Sequence, residues 1–203
     1  MSYSIIGFGA VGQALARAFA RKNIDVTVAS RRPPEMLMQQ AQAIGPTVVP
    51  RTLQDAIASD TIFLAVPFWE HREVAKQITT WHGKTIIDAT NTNAPVEDLD
   101  GQPSSAVVAK AFTGARFVKG FNHLSAAVLA ADPSVNGGSR VVFLSSDDEN
   151  AVAPVAALAE QLGFAPIALG PLKDGGSLVQ ARGNTWGRLI FQDLAKFDSS
   201  KCQ

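Results

Sequence analysis

The feature that most constrains this chain is a glycine pattern at residues 7–12. Tyr3-Ser4-Ile5-Ile6 is a short apolar run that reads as a buried strand, and a helical pattern (Ala14, Leu15, Ala18, Phe19) begins just after it. Gly7, Gly9 and Gly12 lie between them in G-x-G-x-x-G spacing, at the strand-to-helix turn that gives such spacing its meaning. Each glycine has its own physical task. The first makes the tight turn, the second lets a pyrophosphate approach the backbone, and the third lets the helix pack against the strand. The helix start adds unpaired N–H groups and the positive end of a dipole. Gly7, Phe8, Gly9, Ala10, Val11 and Gly12 are therefore expected to bind a dinucleotide.

The end of the second strand points to the kind of dinucleotide. Asp25-Val26-Thr27-Val28-Ala29 reads as that strand and finishes at Ser30-Arg31-Arg32. A site for NAD usually has a carboxylate here, accepting hydrogen bonds from the ribose 2′-hydroxyl. A carboxylate would repel a 2′-phosphate, whereas a hydroxyl and two guanidiniums suit one. A solvated basic turn is the alternative, but the position, just over twenty residues after the glycines, favours NADP(H).

Composition narrows the rest. The 203 residues are 46% hydrophobic and 18% charged with zero formal net charge, so electrostatics give no reason to expect a nucleic-acid or anionic-membrane partner. No apolar run approaches the ~18–20 residues that cross a bilayer, and the first strand leaves no room for a signal peptide. Cys202 is the only cysteine and lies in the tail Ser199–Gln203, and no Cys/His cluster suggests a metal. A cytoplasmic chain is the simplest expectation.

Strand and helix patterns alternate along the chain. Helices are expected over Ala10–Lys22, from Pro33-Pro34 through Gln42, from a Thr52 cap through Ala58, and over Glu70–Thr80 and Ser104–Phe112; strands over Thr47–Pro50, Thr61–Val66, Lys84–Ala89 and Arg116–Lys119. This predicts an α/β fold, a doubly wound parallel sheet of Rossmann type. Residues 1–138 are expected to form the NADP-binding domain. Residues 139–203, with strands at Arg140–Ser145 and Ala165–Leu169 and helices over Asn150–Leu162 and Ser177–Lys196, are expected to be a small α/β extension packed on it. They are too few for the large all-helical substrate domain of many hydroxyacid dehydrogenases. The final helix carries Trp186, Leu189, Ile190, Phe191, Leu194 and Phe197, which suits either a homodimer contact or a cover for one sheet edge.

Ligands of such sheets lie at the carboxyl ends of the strands. That adds Ala65, Val66 and Pro67, where the proline fixes a loop under the ribose, and Asn91, whose amide suits a ribose, a carboxamide or its own loop. Phe68 or Trp69 offers a flat apolar wall, unless Trp69 packs on its neighbours. Asn122 and His123 end a later strand and are the candidate catalytic residues facing the nicotinamide, although His123 can equally serve its loop. His71 and His82, near helix ends, are expected on the surface.

These segments resemble the NADP-dependent reductases of the 8-hydroxy-5-deazaflavin coenzyme (coenzyme F420), a family that includes the related domain of membrane ferric reductases. The resemblance is carried by Gly7–Gly12, Ser30-Arg31-Arg32, Ala65–His71, Ile87–Asn91, Val118–Asn122 and Gly170-Pro171-Leu172. It implies that Ser30 and Arg31 bind the 2′-phosphate, with Arg32 nearby. It also implies a deazaflavin or flavin-type ring stacked on the nicotinamide, between the His123 and Leu172 loops. The position of Asn122-His123 varies among relatives, so no catalytic acid carries over, and the membrane portion of the ferric reductases is not in this sequence. Direct hydride transfer between two cofactors needs little acid–base help, which suits the lack of a catalytic dyad. The rival expectations are an NADPH-dependent reductase of a small imine or carbonyl and a non-catalytic NADP sensor.

Overall fold

The computed structural model describes residues 1–92, 99–180 and 193–197. In chain order the first part runs β1 (Tyr3–Ile6), α1 (Ala10–Arg21), β2 (Val26–Ala29), α2 (Met38–Ile44), β3 (Val48–Pro50), α3 (Leu53–Ala58), β4 (Thr61–Leu64), α4 (His71–Ala75), β5 (Thr85–Asp88), α5 (Ser104–Ala111) and β6 (Arg116–Gly120). These six strands pair in parallel in the order β3-β2-β1-β4-β5-β6. There follow α6 (Ala126–Ala130), β7 (Ser134–Val135), β8 (Gly138–Ser145), α7 (Glu149–Gln161), β9 (Ala165–Ala168) and β10 (Ala195–Lys196). β8 joins the same sheet antiparallel to β6, pairs in parallel with β9, and pairs antiparallel with β7 and β10. The doubly wound α/β sheet is thus the observed fold.

Two-residue alternation in the strands explains the layering, because successive side chains point to opposite faces. Ile5, Phe63, Ile87 and Val118 face one side, where Leu15, Ala18 and Phe19 of α1 and Val155, Leu158 and Ala159 of α7 cover them. Ile6, Ile62, Leu64, Ile86 and Phe117 face the other, against Ala56 and Ile57 of α3, Val74 and Ala75 of α4 and Val108 of α5. Both faces are covered, so the strand interiors are mainly apolar rather than half polar, with Ser4, Asp88 and Lys119 as buried polar exceptions. Edge-to-face rings extend the first layer, with Phe63 5.6 Å from Phe19 and 5.4 Å from Phe121.

Three expectations are corrected. Pro33-Pro34 opens a 3-10 turn at Pro34–Met36, and the α-helix starts only at Met38. The helix expected over Glu70–Thr80 is a 3-10 turn at Phe68–Glu70 followed by five α-helical residues. β-Branched Ile78, Thr79 and Thr80 disfavour its continuation. The chain turns inward instead, burying Trp81 with its Nε1–H donating to the Ala75 carbonyl at 3.2 Å and its ring 4.9 Å from Phe112. Lastly, the helix expected over Ser177–Lys196 does not reach its end: Ala195 and Lys196 form a strand on β8. Trp186, Leu189, Ile190, Phe191 and Cys202 lie outside the described residues. The β7–β8 hairpin was not anticipated, yet its turn is Asn136-Gly137, both at positive φ (51° and 85°), the residue pair that a tight hairpin favours. Among the described residues no helix is long and apolar enough to cross a membrane.

The short α3 depends on its start. Thr52 Oγ1 accepts from the Asp55 N–H at 3.2 Å while the Asp55 carboxylate accepts from the Thr52 N–H at 3.2 Å, a reciprocal cap. The Thr52 bonds hold the Asp55 carboxyl below the usual range. Thr52→Ala is expected to destabilise the fold by about 1 kcal/mol, read as a shifted urea midpoint with an unchanged slope.

Candidate functional site

The strand order reverses direction between β1 and β4, and the crevice at their carboxyl ends is where an open α/β sheet has room for a ligand. A cavity of about 630 Å³ lies there, lined by Ile6, Gly7, Phe8 and Gly9 from β1 and its turn, Ser30, Arg31 and Arg32 after β2, and Ala65, Val66 and Pro67 after β4. Leu53, Glu70, Glu73, Val74 and Gln77 complete it. The three glycines differ in what surrounds them. Gly7 has φ +102°, and a Cβ there would meet the Ala65 carbonyl oxygen at 2.3 Å. A Cβ on Gly12 would lie 1.9 Å from the Gly7 oxygen. Around Gly9 nothing lies within 4 Å, so its backbone is approachable from outside. Gly9 is also the N-cap of α1, which has neither a side-chain cap nor an acidic residue in its first turn. The positive end of the helix is therefore uncompensated by the chain itself.

The β2 side of the cavity is basic and hydroxylic. Ser30 Oγ accepts from the Arg32 N–H at 3.0 Å, which leaves its own O–H as a donor. Arg31 reaches across the mouth to Glu70, Nη1 to Oε1 2.9 Å. Glu73 turns to Lys76 at 2.8 Å. Beside the mouth Trp69 is 47% exposed, with the Arg72 guanidinium 4.8 Å from its ring centroid and Phe68 edge-on at 4.7 Å.

Of the residues named from sequence, Gly7, Phe8, Gly9, Ser30, Arg31, Arg32, Ala65, Val66 and Pro67 line this one cavity. Ala10, Val11 and Gly12 form the first turn of α1 above it. Asn91, Asn122 and His123 do not line it. The two asparagines clasp each other: Asn91 Nδ2 donates to the Asn122 carbonyl at 2.8 Å, and Asn122 Nδ2 donates to Asn91 Oδ1 at 3.1 Å and to the Val179 carbonyl at 2.8 Å. His123 is buried with its ring 4.8 Å from Phe143, and neither ring nitrogen has a hydrogen-bond partner of good geometry among the described residues. Burial pushes it down to about 4, against opposing pulls from the Val141 backbone and Asp193. His71, expected on the surface, is buried at 1% exposure instead. Its Nδ1–H donates to the Phe68 carbonyl, which holds the cavity loop to α4. Desolvation lowers its pKa as well. His82 is exposed.

Two groups of residues escaped the sequence reading. Glu70, Glu73, Val74 and Gln77 follow i, i+3, i+4, i+7 spacing, one face of a helical segment, and that face alone was the available signal. Asp88 and Lys119, cross-strand neighbours in β5 and β6, are fully buried and paired at 3.0 Å. The Lys119 ammonium also donates to the Thr90 carbonyl, and Asp88 Oδ1 accepts from the Thr90 N–H at 2.8 Å. Burial depresses the Lys119 pKa while Asp88 pulls it back up. Opposite charges at the carboxyl ends of two strands, Asp88 as the last residue of β5 and Lys119 as the last but one of β6, were the signal here. Among the described residues no group of three or more His, Cys, Asp or Glu side chains can hold a metal.

A buried neutral histidine links stability to pH. The folded state holds His123 deprotonated down to about 4, whereas the unfolded chain protonates near 6.5. The stability is present above pH 6.5 and is lost as pH falls toward 4, by about 3 kcal/mol for this ring. His123→Gln is expected to flatten the pH dependence of urea unfolding between pH 7 and 4. Coincident profiles for the two proteins would refute the assignment.

The chain has relatives. It is 28% identical over 183 residues to Metalloreductase STEAP3 of Rattus norvegicus, a match covering 88% of this chain and 34% of that protein. The chain thus spans about a third of the length of the curated relatives it matches. A hypothetical protein from Sinorhizobium meliloti has a solved structure with TM-score 0.88 and 38% identity, over 97% of this chain and 96% of that one. A solved structure from Arthrobacter, described as a candidate F420-dependent NADP reductase, gives TM-score 0.70 and 25% identity over 85% and 86% of the two chains. Residues 2–92 match the family described as NADP oxidoreductase, coenzyme F420-dependent, and it is over this segment that the chain is similar to that family of NADP-dependent oxidoreductases.

Proposed function

We propose that the cavity between β1, β2 and β4 binds NADP(H) and that the chain passes a hydride between its nicotinamide and a deazaflavin or flavin-type ring. The observation that carries this reading is the joint lining of one cavity by Gly7–Gly9 and Ser30-Arg31-Arg32. The open backbone at Gly9 and the uncapped start of α1 suit a pyrophosphate. The Ser30 hydroxyl and the guanidiniums of Arg31 and Arg32 suit a 2′-phosphate, which Arg recognises through paired, charge-assisted bonds. Ala65, Val66 and Pro67 present an apolar rim against which a ribose rests. When bound, the nicotinamide supplies the hydride chemistry. The chain contributes proximity and orientation, which in favourable cases are worth roughly 7–11 kcal/mol of a barrier.

The exposed Trp69 supports a flat acceptor, since its ring presents a stacking surface beside the cavity mouth. Asn91 and Asn122 serve from beneath by holding the β5 and β6 loops together, and a neutral His123 shapes the same loop rather than storing a proton. We take the chain to act as a homodimer, on the strength of the apolar residues 186–197. Sedimentation of the full chain tests that point.

Titration with NADPH and NADH is the decisive experiment, followed by NADPH oxidation with deazaflavin, FMN and FAD as acceptors. Wild type is expected to prefer NADPH. Arg31→Ala is expected to weaken NADPH binding about tenfold, the effect of losing one charge-assisted contact, and to leave NADH unchanged. Gly9→Ala is expected to abolish binding of both without lowering the melting temperature. Equal affinity for NADH would refute the cofactor reading, and tight NADPH binding without turnover on any acceptor would refute the transfer.

A further inference from the structure

Glu70 puts a carboxylate among the cations of the cavity mouth. It comes from the turn after Pro67, on the β4 side, and meets Arg31 from the β2 side at 2.9 Å, with side-chain exposures of 31% and 81%. Two of the other nearby charges are engaged elsewhere. Glu73 pairs with Lys76, and the Arg72 guanidinium lies over the Trp69 ring. Arg31 is thus the one described cation with which Glu70 forms an ion pair. Resting on the NADP(H) reading above, we infer that Glu70 is a specificity-determining residue that competes with the 2′-phosphate for Arg31.

The physical argument concerns one guanidinium and two anions. The Arg31 edge that holds a carboxylate is not available to a phosphate until the carboxylate leaves, and a phosphate carrying nearly two charges repels Glu70 if it stays. A ribose 2′-hydroxyl has the opposite relation, because it donates a hydrogen bond to a carboxylate. The same side chain therefore opposes NADPH and tolerates NADH, and narrows the preference that Ser30 and Arg31 establish. The pair is exposed, so the competition is modest and is screened by salt.

The test is a titration of the full chain with NADPH and with NADH, comparing wild type, Glu70→Gln, Arg31→Ala and the double variant. Glu70→Gln is expected to tighten NADPH about three- to fivefold, the upper range for an exposed ion pair, without tightening NADH. The gain is expected to vanish in the Arg31→Ala background and to shrink at high ionic strength. Unchanged or weaker NADPH binding in Glu70→Gln, with Arg31→Ala still weakening it, overturns the inference and leaves the cofactor reading in place. NADPH binding indifferent to Arg31→Ala overturns the cofactor reading itself.

Discussion

Everything in this molecule depends on how closely the backbone approaches itself at one turn. Gly7 N–H donates to the Ala29 carbonyl and Ala65 N–H to the Ile6 carbonyl, both at 2.8 Å. The turn thereby ties the ends of β1, β2 and β4 together. No side chain fits at Gly7 or Gly12 without a collision with backbone. With both positions bare, α1 lies directly over the sheet, its start points into the crevice, and the cavity opens on the side that Gly9 leaves free.

The other half of the sheet is held by polar contacts instead. Asp88 and Lys119 form a buried ion pair whose remaining bonds go to Thr90, and the Asn91–Asn122 clasp continues the connection one step beyond the strands. A buried pair adds little net stability over an apolar pair of similar shape. It does penalise any other register, because a shifted β6 would bury an unpaired ammonium. The pair therefore serves to align the loops after β5 and β6.

Much of this was visible in the order of residues. The Gly7, Gly9, Gly12 spacing, the basic end of β2, and the apolar runs at Ile5–Ile6, Ile62–Leu64 and Ile86–Ile87 gave the sheet and most of the cavity lining. Thr52 marked a helix start that Asp55 completes. The Asn136-Gly137 hairpin is equally local, since this residue pair by itself favours the positive φ angles of a tight turn. The burial of His71 is not: a polar ring near a helix start looks solvent-facing until the Phe68 carbonyl and the surrounding loop enclose it.

What the sequence determined by itself is the part that depends on near neighbours. Turn glycines, caps and strand alternation act over a few residues, so the doubly wound fold and the β1–α1 and β2 contributions to the site follow from the string alone. The tertiary structure decided the encounters between distant segments. It brought Glu70 to Arg31 across 39 positions, aligned Asp88 with Lys119, and closed the core around His123 and Lys119. Those contacts depend on strand order and register. Charge and hydrogen-bonding power belong to the residue, but burial and partnership belong to the fold.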